Sequence, residues 1–130
     1  NCHGMGAAVM TGMKYPSESE EQIGFLRWFE LQFRGVWIFH IPNGGHRAIS
    51  VAKKMKAEGV KPGVPDLYVP RWKLWIEMKR QKGGRISKDQ AAWHEYLSGI
   101  GDIVIVCNGA TDASRQVLAF VQERRARRTE

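Results

Sequence analysis

A chain of 130 residues suits one domain with its own core and leaves no room for two. Hydrophobic residues make up 43% and no apolar run approaches 18 residues, so neither a disordered chain nor a transmembrane helix is expected. Lys and Arg outnumber Asp and Glu by 20 to 13, a net charge of +7, which favours a polyanionic partner over a neutral small molecule.

Residues 1–16 are rich in Gly, Ala and Met, show no periodicity and carry no basic region followed by a long apolar one. They read as a flexible N-terminal tail without a secretory signal, and residues 17–130 as one domain. Pro16-Ser17 opens a helix whose apolar stripe is Ile23, Leu26, Phe29 and Phe33, with Phe25 beside it. Glu18, Glu20 and Glu21 fall in its first turn, where the helix dipole favours acids, and Gly35 stops it. Val36 to Ile41 is β-branched and aromatic and predicts a buried strand, ended by Pro42-Asn43-Gly44-Gly45. Residues 48–58 predict a helix with Ile49, Ala52 and Met55 on one face. Gly59, Pro62, Gly63 and Pro65 then punctuate the chain.

Asp66 to Val69 and Leu74 to Lys79 predict two short strands around a four-residue turn, Pro70 to Lys73. After Gly83-Gly84, Ser87 begins a helix through Trp93 and Leu97 that closes near Gly99. Asp102 to Cys107 is a further strand, and residues 111–128 a helix with Val117, Leu118, Phe120 and Val121 on its apolar face. Cys2 and Cys107 form neither a disulfide framework nor a CxxC pair, which fits a reducing, cytoplasmic compartment. The element order predicts an α/β fold with a mixed four-stranded sheet flanked by helices.

The hairpin carries the chemistry. If Val69 and Leu74 flank its turn, Asp66 faces Glu77, and side chains so opposed lie about 4.5–5.5 Å apart at Cβ. Two carboxylates there repel, and a divalent cation between them removes the conflict. Mg²⁺ takes oxygen ligands and usually needs only one or two carboxylates, with water and phosphate completing its shell. Lys79, two residues after Glu77, shares that face. Metal, lysine and water are what phosphodiester hydrolysis requires. Taken singly, a Glu-x-Lys on a strand is an ordinary solvated face, and an Asp after Pro an ordinary turn residue.

Arg80, Lys82, Arg85 and Lys88 surround the Gly83-Gly84 loop and are positioned to grip a phosphate backbone. Arg47, Lys53, Lys54 and Lys56 offer a second basic patch near Asn43, whose Gly-rich turn lets backbone approach DNA. Arg124, Arg125, Arg127 and Arg128 read as a solvated helix end, where cations suit the dipole. His40, His46 and His94 lack zinc-ligand spacing. Of these, His46 is the functional candidate, and the other two read as core or surface residues.

Gly63-Val64-Pro65-Asp66 followed by Glu77-Met78-Lys79 resembles the PD-(D/E)xK nuclease superfamily. More narrowly, the stretch from Glu18 to Val121 resembles the virus-type replication–repair nuclease (VRR-NUC) domain. The pieces are an early acidic helix, Ile41-Pro42-Asn43-Gly44, Gly59 through Leu67, Ile76 through Lys79, Gly84 through Gln90, and Trp93. The resemblance implies a restriction-endonuclease-like fold. It also implies metal binding by Asp66, Glu77 and the Met78 carbonyl, with Mg²⁺ as cofactor and Mn²⁺ as a substitute. Lys79 would be the catalytic lysine. An acid on the first helix would complete the site: Glu18, in row with Gln22, Phe25 and Phe29, or its rival Glu21. Gln90 would orient water or Lys79, while Ser87-x-x-Gln90 also reads as a capping box. Implied too are a homodimer, cleavage of branched DNA such as four-way junctions, and a phage origin. No membrane partner is expected. The alternative is a DNA-binding module that keeps the fold without the catalysis.

Overall fold

The computed structural model describes residues 14–42 and 48–128. Ser17 caps helix α1, Glu18–Gln32: its hydroxyl accepts from the Glu20 amide at 3.1 Å, and the Glu20 carboxylate accepts from the Ser17 amide at 2.8 Å. This reciprocal pair satisfies two donors that a helix start leaves orphaned. The buried row of α1 is Glu21, Phe25 and Phe29, spaced four apart, while Ile23 is 49% exposed. The buried face is therefore rotated from the expected Ile23–Phe33 stripe, because a carboxylate heads the row.

Strand β1 is only Phe39–His40, and both residues are exposed. The expectation of a buried strand over Val36–Ile41 is corrected here. β1 is an edge strand, bonded to a neighbour on one side, and Trp37 is 81% exposed. Helix α2, Ile49–Ala57, buries no residue, and Ile49 on its expected inner face is 76% exposed.

Strands β2, Leu67–Val69, and β3, Leu74–Lys79, form the hairpin, joined by a 3-10 turn over Pro70–Trp72. Lys73 closes the turn in the left-handed region, φ 50°. Helix α3 (Lys88–Gly99) crosses over to β4 (Ile103–Asn108), and helix α4 (Ala110–Arg128) follows. The sheet order is β1-β2-β3-β4; the first two pairings are antiparallel, and β3 runs parallel to β4. This is the expected α/β architecture, a mixed four-stranded sheet flanked by four helices.

Alternation along β3 divides its residues between two layers. Leu74, Ile76 and Met78 enter the core with Phe25 and Phe29 of α1 and Val117 and Val121 of α4. Trp75, Glu77 and Lys79 point to the opposite face, toward α3. The chemistry therefore stands on a rigid central strand, backed by the core. Among the described residues no helix is long and apolar enough to cross a membrane.

Candidate active site

The hairpin register pairs Val69 with Leu74 and Leu67 with Ile76, so Asp66 and Glu77 come next to each other. Asp66 Oδ2 accepts from the Met78 amide at 2.8 Å, which fixes the carboxylate beside β3. Its backbone carbonyl accepts from the Ile41 amide at 2.8 Å and from His40 Nδ1 at 2.9 Å. A carbonyl can only accept, so Nδ1 of His40 carries the proton.

The register has a further consequence for Met78. Its amide faces β2, and in an extended strand the carbonyl of a residue points to the same side as its amide. Continued two residues beyond Leu67↔Ile76, that register would bring Pro65 opposite Met78, and proline has no N–H to offer that carbonyl.

Glu77 is 1% exposed and Lys79 6%. Burial pushes the Glu77 carboxyl up to about 9, helped by the charge of Asp66 and a hydrogen bond between the two; Lys79 opposes this, and Glu18 adds to it. A buried carboxyl that keeps its proton beside a second carboxylate is chemically suited to a small divalent cation. Asp66, Glu77 and the Met78 carbonyl present oxygen donors only, the preference of Mg²⁺. Among the described residues no group of three or more His, Cys, Asp or Glu is arranged around a common metal position. A site built on two carboxylates and a carbonyl has fewer such groups than that.

Gln90 holds the site together from α3. Its Oε1 accepts from Lys79 Nζ at 2.9 Å and from the Ser87 amide at 2.9 Å, while Nε2 donates to Glu77 Oε2 at 3.2 Å. The capping box and the site contact are therefore one arrangement: the turn that starts α3 also orients the amide between Glu77 and Lys79. His94 places Nε2 3.1 Å from Glu77 Oε1. Burial, then the Lys79 charge, lowers its pKa. Reading the sequence for zinc spacing missed His94. The available signal was its position four residues after Gln90, on the same helix face.

The two candidate acids of α1 have different surroundings. Glu21 is buried, its Oε1 accepting from the Ala110 amide at 2.9 Å and its Oε2 from Gln81 Nε2 at 2.8 Å. It thereby caps α4 and anchors the chain leaving β3. Glu18 is exposed, and its charge acts on Glu77.

Arg80, Lys82, Arg85 and Lys88 are all exposed around the loop beyond β3. Arg80 donates to the Gly83 carbonyl at 3.3 Å, and Lys82 Nζ lies 5.5 Å from the centre of the Tyr15 ring. A Cβ on Gly84 would sit 2.9 Å from Lys79 Cβ, so only glycine lets this loop lie against the lysine stem. Asn43, His46, Arg47 and residues 1–13 of the tail lie outside the described residues.

A solved structure described as a VRR_NUC domain protein shares this fold. Its TM-score is 0.72 at 26% identity, over 85% of this chain and 92% of that one. No family model and no curated protein matches the chain.

Proposed function

We propose that this chain, which shares the fold of a VRR_NUC domain protein, is a metal-dependent endodeoxyribonuclease. The observation that carries the reading is the buried Glu77 beside half-buried Asp66, with Lys79 on the same face and Gln90 bridging Glu77 to Lys79. Asp66, Glu77 and the Met78 carbonyl would hold Mg²⁺, for which Mn²⁺ can substitute. When bound, the cation supplies Lewis acidity toward the phosphate and makes water a competent nucleophile near neutral pH.

The chain's own residues do the rest. Lys79 presents its ammonium where negative charge grows on the phosphate, and Gln90 keeps that ammonium aimed. His94 holds one oxygen of Glu77, leaving the carboxylate little freedom to turn. Glu18 takes the role of the helix acid, since both oxygens of Glu21 are engaged in holding α4 and Gln81. Arg80, Lys82, Arg85 and Lys88 grip the strand being cut, together with Asn43 and Arg47. The substrate is branched DNA such as a four-way junction, cut by a homodimer. One domain carries one site, and symmetric incision of two strands needs two.

The test incubates the protein with labelled four-way junction, flap and linear duplex, with and without Mg²⁺, alongside Glu77→Ala and Lys79→Ala. Wild type should cut only with the metal, and each variant should lose at least about 100-fold in rate, the scale of a lost electrostatic stabiliser. Cleavage by the variants at the wild-type rate, or none by wild type on any substrate, would refute the assignment.

A further inference from the structure

Arg34, Arg71, Arg124, Arg125 and Arg128 converge on one cleft of about 530 Å³. They come from three places in the chain: the segment after α1, the hairpin turn and the last turns of α4. Among the described residues no carboxylate lines the cleft. Among the described residues Arg34, Arg71, Arg125 and Arg128 take part in no ion pair, and Arg124 lies over the Phe120 ring at 5.7 Å. The floor is Trp72, 9% exposed and wedged against Phe29, Phe33 and Phe120. Arg71 is thus carried on a turn pinned by an aromatic cluster.

A solvated helix end accounts for arginines on α4. It does not account for Arg34 and Arg71, which two other elements bring to the same place. Five guanidinium groups without counter-charge repel one another unless anions sit among them. Guanidinium also pairs bidentately with phosphate, which suits repeated phosphates better than isolated carboxylates.

We propose that this cleft binds the phosphate backbone of the nucleic acid at a second point, remote from the cut. The inference rests on the reading of DNA as the partner. Helix α1 gives the spacing: Glu18 at its start acts on Glu77, and its end lies at the cleft. Its 15 residues span about 22 Å, or roughly 7 base pairs of duplex. The cleft therefore holds DNA flanking the reacting phosphate, such as a neighbouring arm of a branch.

The experiment compares wild type with Arg71→Gln/Arg125→Gln/Arg128→Gln, all exposed positions, and with the matching triple lysine variant. Binding of a labelled 30-base-pair duplex is followed by anisotropy without divalent metal, across a range of NaCl. The glutamine variant should bind about ten-fold more weakly or worse. Its slope of log affinity against log salt should shrink by about 2 to 3, close to 0.9 per lost phosphate contact. The lysine variant should keep the wild-type slope. Hydrolysis of bis(p-nitrophenyl) phosphate, too small to reach the cleft, should not change. Unaltered duplex binding by the glutamine variant overturns the proposal. So does selective loss of binding to poly-glutamate or to phosphatidylserine vesicles, which would assign the cleft to an acidic protein or a membrane surface. If wild type binds duplex through these arginines but cuts no DNA with Mg²⁺, the nuclease reading fails and the cleft stands. If wild type cuts and the variant binds normally, the cleft alone fails; if wild type binds no duplex, both fail.

Discussion

Glu77 stands where a lone carboxylate is least comfortable, buried behind Asp66 with its proton retained up to about pH 9. That has a cost which depends on pH. Below pH 4.5 the residue is protonated in both folded and unfolded chains and the cost is absent. Between 4.5 and about 9 the unfolded chain releases the proton and the folded one keeps it, so stability falls as pH rises. Glu77→Gln does not titrate. In metal-free buffer its melting temperature should equal that of wild type near pH 4.5 and exceed it by at least about 5 °C at pH 8. Parallel curves for the two proteins would show that Glu77 is ionised at no cost. Cys107 offers a contrasting case at the same scale. Fully buried, its thiol is pushed up to about 12, so in the native protein it should resist iodoacetamide at pH 8 and be alkylated only on unfolding. Peptide mass spectrometry of Cys107 reads this directly, and rapid native labelling would contradict it.

Between elements, the close contact of the Gly63 loop with α3 keeps the two halves of the site together. Gly63 has φ +90°, and a Cβ there would lie 2.5 Å from the Asp89 backbone carbon. Gly59 has φ +106° with nothing within 4 Å. Gly59→Ala should therefore cost about 1 kcal/mol, the conformational penalty alone, and Gly63→Ala about 3 kcal/mol or more. Urea unfolding measures both, and equal losses would mean that the contact with α3 yields freely. The turn residues were legible because their chemistry is local: Gly63-Val64-Pro65 stops one element, Ser87 and Gln90 start another, and strand alternation aligns Glu77 with Lys79. What sequence could not convey was burial, which is decided by neighbours. Val36 to Ile41 reads as a core strand, yet most of it lies outside the ladder at a sheet edge, leaving Trp37 exposed. Glu21 was hidden for the same reason. Its partners, Gln81 and Ala110, are remote in sequence and meet it only once α4 has packed on α1.

Across the whole molecule, the starts of three helices gather at one end. α1 begins near Glu77, α3 begins with the Gln90 turn that touches both Glu77 and Lys79, and α4 begins at the amide that Glu21 accepts from. Helix starts carry partial positive charge, so this end favours an anion such as a phosphate. The ends of α1 and α4 lie together at the arginine cleft, where guanidinium groups offset the opposite dipole. Attraction of a polyanion is thus spread over both ends, whereas the proposed cation would sit at the carboxylate pair. Metal should accordingly stabilise the folded chain through Asp66 and Glu77 alone. At 100 times its dissociation constant, Mg²⁺ or Mn²⁺ should add about 2.7 kcal/mol, a rise of roughly 10 °C for a domain of this size. EDTA should reverse the rise, the triple arginine variant should retain it, and Glu77→Ala should lack it. An equal rise in Glu77→Ala would place the cation elsewhere on the surface, because removing that carboxylate leaves Asp66 without the neighbour whose charge the cation is there to balance.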